Sequence, residues 1–323
     1  MPTFRQTALQ SGIHLSIVPA ARLADFRAEI EHFAETQELN GFQKFIVGEY
    51  EFAPKEPTFE MRSVIVTATP HGSVGDAIFA LGGKSYKMYY NNGIGSTATR
   101  DCVSAAVADA GYSLEHTGFW FPYKRFAVQA GLCEYGRNNI TYLNNVILGS
   151  AEDGELGKAE IHGSYVAIDA YYSDMPADED TWRGVVTASA CEGCSVCESV
   201  CPTGAIREGV FLLDNVRCIC AANEAPEPFP NFIPADAHHS IVGCMKCQYN
   251  CPLNATANAR TYPTLSFTEA ETERLLRGAP YDDLEPSLAE RFNAAEMQFA
   301  GDLPRNLRVC FDIIDAGGTV SLS

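Results

Sequence analysis

No apolar run in this sequence reaches the ~18 residues that a membrane helix needs, so no bilayer span is expected. The opening residues, Met1 to Thr7, lack a basic stretch leading into an apolar one, and neither a secretory nor a twin-arginine signal is read there. Basic charge is scarce: 23 Lys and Arg stand against 41 Asp and Glu, a net charge of −18. So acidic a surface does not grip a phosphate backbone unless its few cations are concentrated, and the longest local group is Lys124 and Arg125 with Arg137. A cytoplasmic protein without nucleic-acid or membrane partners is therefore expected. Histidine pairs of the H-x3-H zinc type are missing too, and the adjacent His238 and His239 read as an exposed loop pair. Disorder is excluded from the other side. Hydrophobic residues make up 46% and charged residues 20% of the 323 positions, enough for a packed core. That length suggests about two domains.

Cysteine is what the sequence has in excess. There are twelve, a number that in the cytoplasm needs a reason other than disulfides. They concentrate between 191 and 251. The first run is Cys191-Glu-Gly-Cys194-Ser-Val-Cys197-Glu-Ser-Val-Cys201-Pro202, and the second is Cys244-Met-Lys-Cys247-Gln-Tyr-Asn-Cys251-Pro252. Three thiolates at spacing three wrap one corner of an iron–sulfur cubane. The fourth lies past the turn and ligates the other cluster in two-cluster ferredoxins. The second run lacks its first cysteine, which Cys218 in Val216-Arg217-Cys218-Ile219-Cys220 can replace. Cluster one then takes Cys191, Cys194, Cys197 and Cys251. Cluster two takes Cys201, Cys218, Cys244 and Cys247, with Cys220 as the alternative to Cys218. CxxC pairs also hold structural zinc, the competing chemistry. Cys102, Cys133, Cys220 and Cys310 read as small buried residues.

Elsewhere the pattern is mixed helix and strand. Residues 22–38 carry Leu23, Phe26, Ile30 and Phe33 on one helical stripe. Ser63–Ala68 and Tyr165–Tyr172 read as strands, the first bounded by Pro70 and Gly72. A helix is expected near 98–110. Another starts at Pro122 and ends at Gly131. Thr268-Glu-Ala-Glu271 is a capping box. Two acidic stretches, 151–160 and 174–180, read as a surface insertion and a linker. Domains are expected at 1–180, 181–256 and 257–323.

Outside the cysteines, the unusual stretch is Pro122 to Tyr142. Gly131 and Gly136, with Asn138 and Asn139 beside Arg137, suit a backbone held close to a ligand, although a helix cap and turn would use the same residues. The loop 93–97 could hold an anion at a helix N-terminus, but lacks a full G-x-G-x-x-G.

With these residues in view, the chain resembles the epoxyqueuosine reductase family, related in architecture to reductive dehalogenases. The A-G-L-G-x-x-G-[KR]-N motif of that family stands here as Ala130-Gly-Leu-Cys-Glu-Tyr-Gly-Arg-Asn138, with Cys133 replacing a glycine. Its G-S-W/F appears as Gly163-Ser164-Tyr165, and C-x2-C-x2-C-x3-C-P-T-G-A-I is complete. Its R-C-I supports Cys218 over Cys220. The resemblance implies an α+β fold: a nitroreductase-like, corrinoid-binding α/β domain, then a double [4Fe-4S] ferredoxin-like domain and a short helical tail. It implies cobalamin contacts at Gly131, Leu132, Tyr135, Gly136, Arg137, Asn138, Asn139, Gly163 and Ser164. A ferredoxin or flavodoxin would donate electrons.

One departure bears on substrate. The family carries a catalytic aspartate in D-x-x-P, whereas Thr117-Gly-Phe-Trp-Phe-Pro122 has no carboxylate. Tyr123 and Lys124 are the substitute proton donors at hand, and the tail after 255 lacks the family's helical-repeat tRNA-binding extension. The expectation is a reductase acting on a small molecule or another corrinoid protein rather than tRNA. The rival readings are a ferredoxin-like electron carrier without corrinoid and a true epoxyqueuosine reductase.

Overall fold

The structure, a computed structural model, describes residues 4–91, 97–143, 163–259 and 262–322. The glycine loop before residue 97, the insertion at 151–160 and Arg260 fall outside them. Among the described residues no helix is long and apolar enough to cross a membrane. The chain divides into two compact units: Met1–His71, Ile94–Gly136 and Ile140–Ser189 form the first, and Gly72–Gly93, Arg137–Asn139 and Ala190–Ser323 the second. This grouping differs from three consecutive domains, because a hairpin from the first third of the chain and the C-terminal helices share the cysteine-bearing unit.

The first unit is built on an antiparallel sheet. It opens with α1 (Phe4–Gln10), β1 (His14–Pro19), α2 (Arg22–Thr36), α3 (Gly41–Glu49) and β2 (Ser63–Pro70). The chain then leaves for the hairpin β3 (Val74–Leu81) and β4 (Lys84–Asn91), which belongs to the second unit. It returns as α4 (Thr97–Asp109), β5 (Leu114–His116), α5 (Tyr123–Gln129), the short pair β6 (Cys133–Tyr135) and β7 (Thr141–Leu143), and β8 (Val166–Ser173). The sheet order is β1-β2-β8-β5. Successive side chains on a strand point to opposite faces, and here both faces are covered. Val64, Val66, Ala68, Ala170 and Tyr172 pack under Leu23, Phe26 and Ile30 of α2 and Phe126 of α5. Ile65, Tyr171, Leu15 and Ile17 pack under Ala8 of α1 and Val103 and Val107 of α4. Double coverage is why β2 reads as an unbroken apolar run. Each fully buried aromatic such as Phe26 stabilises the fold by about 1.5–3 kcal/mol. Asp174–Asp180 is no loose linker: Asp174 accepts from the Ser113 amide at 2.7 Å and Asp180 pairs with Arg22 at 2.6 Å.

In the second unit β3 and β4 are joined by Gly82 and Gly83 at φ 57° and 73°. Two residues of positive φ make the turn whose twist matches a hairpin. β9 (Leu265–Phe267) adds to β3 in parallel, with Ala77 opposite Leu265. Over this small sheet lie α10 (Glu269–Leu276), α11 (Pro286–Ala294) and α12 (Leu303–Asp315). The core they enclose is aromatic: Phe79 stacks on Phe267 at 4.4 Å and Tyr86 on Phe311 at 4.3 Å. Thr268 caps α10 with the reciprocal Glu271 contact that the sequence signals. The tail is therefore half of a core.

Candidate iron–sulfur site and the loop beside the sheet

Both cysteine runs fold in the same way. In the first, Gly193 at φ 69° turns the chain after Cys191, and Cys197 sits on the one-turn helix α6 (Val196–Ser199) before Cys201. In the second, Gly243 at φ 73° precedes Cys244, and Cys247 sits on α8 (Lys246–Tyr249) before Cys251. α7 (Ile219–Glu224) lies between them, with Cys218 as its N-cap residue. Positive φ is cheap only for glycine, and each one lets a loop double back so that spacing-three thiols share a side. Proline at 202 and 252 stops each short helix from continuing.

Buried thiols of this segment feel one another's charge within each run and across the two runs. Burial pushes Cys191 up, and Cys251 and Cys194 push it further. Burial raises Cys197 to about 11, with Cys191, Cys251 and Cys194 among the charges adding to it. Burial likewise raises Cys244 to about 12, Cys218 and Cys201 contributing, and pushes Cys218 up with Cys201 beside it. Cys247 is driven well above the usual thiol range by burial, then by Cys244, Cys218, Cys197 and Cys201. Cys251, although far along the chain, thus adds its charge to Cys191 and Cys197, and Cys201 adds its own to Cys218, Cys244 and Cys247. Backbone N–H groups are aimed at several sulfurs. Ala205 donates to Cys201 Sγ at 3.3 Å, Cys220 and Ala221 to Cys218, Lys246 to Cys244, and Arg137 to Cys191. Packed thiolates that repel one another and accept amide donors suit bound iron, whose charge offsets both burial and repulsion. Cys220 is engaged differently, its thiol donating to Glu224 Oε1 at 3.0 Å. Cys133 and Cys310 are core residues as expected, while Cys102 is half-buried.

Arg137 belongs with this segment. Its guanidinium donates to Glu198 at 2.7 Å and to the Cys191 carbonyl at 3.2 Å, while Arg125 binds Gln129 and lies over Phe33. Lys124 is exposed. Asn139 sits at φ 59° and donates to the Phe211 carbonyl, and Asn138 is buried. Leu132 and Tyr135 point into the first unit's core, Gly131 caps α5 at φ 78°, and Gly136 donates to the Ile140 carbonyl. The Gly163 carbonyl accepts from the Leu143 amide at 3.1 Å, next to a buried Ser164.

His238 and His239 are not exposed, being 3% and 1% accessible. His239 Nδ1 donates to the Ala237 carbonyl, Nε2 accepts from the Met245 amide, and His238 packs on Phe229. Burial lowers both to about 4, so they are neutral braces of the loop that enters the second cysteine run.

A constellation without any sequence signature lies in the first unit. His116 of β5 sits 2.9 Å from Asp169 of β8, with Arg100 of α4 3.1 Å from the ring and Tyr171 donating to Asp169. His116 Nδ1 accepts from the Gly118 amide at 3.1 Å. Tyr123, raised by burial and so holding its proton, donates to the Gly118 carbonyl. Residues from four elements converge here, and no local spacing announces them.

Comparison with known proteins follows this geometry. A family model described as a 4Fe-4S double cluster binding domain matches residues 190–254. The epoxyqueuosine reductase of Bacillus cereus is 29% identical over 103 residues, 32% of this chain and 26% of its own. That of a Synechococcus strain is 30% identical over 156 residues, 48% of this chain and 40% of its own. The matches thus span less than half the length of these curated relatives. Solved epoxyqueuosine reductases superpose with TM-scores of 0.60 to 0.63 at 17% identity, covering 95% of this chain and 80% of theirs. One, from Bacillus subtilis, has its aspartate-bearing catalytic loop swung out of the active site. Another holds an epoxyqueuosine-modified tRNA-Tyr stem loop. The chain is accordingly similar to epoxyqueuosine reductases over part of its sequence and in its α+β fold, and its residues 190–254 match a double [4Fe-4S] cluster binding domain.

Proposed function

We propose that this protein is an iron–sulfur reductase in which two [4Fe-4S] clusters pass single electrons toward a corrinoid held by the first unit. What supports the reading is the double-cluster match over residues 190–254, a segment whose buried thiols feel one another's charge. Cys191, Cys194, Cys197 and Cys251 would hold one cluster, and Cys201, Cys218, Cys244 and Cys247 the other. The amides on Cys218 favour it over Cys220, whose thiol is turned to Glu224. A corrinoid would lie against the backbone at Gly131, Gly136 and the Gly163–Ser164 turn, since Leu132 and Tyr135 spend their side chains in the core. Bound there, it would supply a cobalt that changes oxidation state by single electrons. Ferredoxin or flavodoxin fits the donor role.

On substrate, the relatives and the stem-loop complex favour epoxyqueuosine in tRNA. A second reading, a smaller substrate, is favoured by the net charge of −18 and by a 117–122 segment without a carboxylate.

The test is anaerobic reconstitution with iron, sulfide and cobalamin, followed by desalting. About eight irons and eight sulfides with retained corrinoid bands are expected. Gly136→Leu should lose the corrinoid and keep the iron. Unmodified protein that retains no corrinoid would leave the electron-carrier reading instead. Complementation of a strain lacking epoxyqueuosine reductase separates the substrates: restored queuosine selects tRNA.

A further inference from the structure

We infer, resting on the two-cluster reading, that Arg217 is a positioning residue for the cluster assigned to Cys201, Cys218, Cys244 and Cys247. Its side chain clasps the turn after Cys201, and so fixes the backbone N–H aimed at the Cys201 sulfur and, through it, the reduction potential of that cluster.

After Cys201 and Pro202 the chain turns at Gly204, which stands at φ 63°. The turn is buried, with Thr203 and Ala205 only 3% and 1% accessible. It folds back on its own start. The Gly204 amide donates to the Cys201 carbonyl at 3.3 Å, and the Ala205 amide donates to Cys201 Sγ at 3.3 Å. The Thr203 hydroxyl lies 3.8 Å from the same sulfur. A donor on a ligand sulfur draws off part of the charge that the sulfur presents to iron. Such hydrogen bonds are among the determinants of a cluster's potential. The potential therefore depends on where the Ala205 amide points, and that depends on what holds a four-residue turn.

Two bonds hold it from outside. The Asp214 amide donates to the Ala205 carbonyl at 2.9 Å, and Arg217 Nε donates to the Thr203 carbonyl at 2.7 Å. Both donors belong to one compact turn, in which the Arg217 amide donates to the Asp214 carbonyl at 3.1 Å and the Cys218 amide to the Asn215 carbonyl at 3.2 Å. The clasp thus ties the turn behind Cys201 to the residue before Cys218, two thiols assigned to the same cluster. A charged donor at 2.7 Å is at the strong end of N–H···O bonds. The guanidinium is steadied on its other side by the Phe232 ring, 5.0 Å from its carbon. Without that donor the Thr203 carbonyl loses its clasp, and the turn is free to swing the Ala205 amide off the sulfur. The bare charge contributes less, because Arg217 is exposed and solvent and salt screen it.

Glutamine separates the clasp from the charge. Its Nε2 is bonded to Cδ as the arginine Nε is, so Arg217→Gln keeps a donor for Thr203 and removes the cation. Arg217→Met keeps a long stem and has neither. Anaerobically reconstituted proteins are titrated with dithionite and followed by electron paramagnetic resonance. Iron content and far-ultraviolet circular dichroism verify that each is loaded and folded. In Arg217→Met one cluster should become about tenfold harder to reduce, ~59 mV for a one-electron couple, and the other should be unchanged. The shifted signal should be the one that Cys201→Ser alters. Arg217→Gln should titrate like the unmodified protein. If Arg217→Met sheds a cluster outright, retention of both clusters by Arg217→Gln supports the clasp in the same way. Unshifted potentials in Arg217→Met, or equal shifts or equal cluster loss in the Met and Gln variants, overturn it. An unmodified protein that binds fewer than two clusters overturns the two-cluster reading itself, and the iron count shows this before any variant is compared.

Discussion

Arg137 and Glu198 form an ion pair at 2.7 Å, and the same guanidinium reaches the Cys191 carbonyl, so one side chain ties the first cysteine of the run to the short helix α6. Arg137→Ala should leave the protein folded but speed the loss of iron–sulfur absorbance to a chelator several-fold. Arg137→Lys should be intermediate, since an ammonium cannot grip carboxylate and carbonyl with one planar fork. Equal bleaching of all three proteins would show that the pair plays no part in retaining iron.

Cys251→Ala should disturb the cluster bound by Cys191–Cys197 although more than fifty residues separate them. Iron should fall from about eight toward about four, and the remaining electron-paramagnetic signal should match that of Cys201→Ser only if both cysteines serve the same cluster. Distinct spectra for the two variants are the expected result. Cys220→Ser should keep full iron.

Gly301→Ala tests a close approach. A Cβ there would run into the Ala225 backbone just after α7, while the Gly301 amide already donates to Asn223. Backbone cannot yield as a side-chain tip does, so a destabilisation of about 1–3 kcal/mol is expected in chemical unfolding. Cysteine-bearing α7 would shift with it, so iron loss should accelerate as well.

Glu296 is buried at 9% exposure with φ 56°, and its Oε1 has no hydrogen-bond partner. Burial raises its carboxyl to about 7, the Asn91 amide pulling it down and the Glu224 charge pushing it up. The folded state therefore holds the proton more tightly than the unfolded chain, whose carboxyl titrates near 4.5. This contribution is fully present below pH 4.5 and is lost as pH rises through 7, up to about 3 kcal/mol. Glu296→Gln should raise the melting temperature at about pH 8 and change little at about pH 5. A gain of the same size at both values would count against the buried-acid account.

The parts legible in the sequence are those whose cause is local. Ligand spacing announced the cysteine loops, a helical stripe announced α2, and a doubly buried strand announced β2. Ring stripes and thiol spacing are written in consecutive residues. The hairpin β3–β4 went unread although its burial alternates, because its meaning comes from β9 and α12, more than half the chain away. His238 and His239 looked exposed in a proline-rich loop, and only the Phe229 ring and the Met245 amide bury them. The His116 constellation draws on Arg100, Tyr123 and Asp169 from separate elements and leaves no trace in any window.

The parallel pairing of β3 with β9 also governs the order in which the protein can be made. β3 and β4 leave the ribosome early, pair with each other, and then present an aromatic face and an open strand edge with nothing to cover them. Cover arrives only when β9, α10 and α12 have been synthesised, and closing that long loop is the slow kind of contact. A nascent chain that has already emitted every cysteine of the cluster segment still lacks half the core of the unit that carries them. A chain that stops between residue 256 and the start of α12 at Leu303 leaves the aromatic face of that hairpin incompletely covered, a sticky surface for quality control to find.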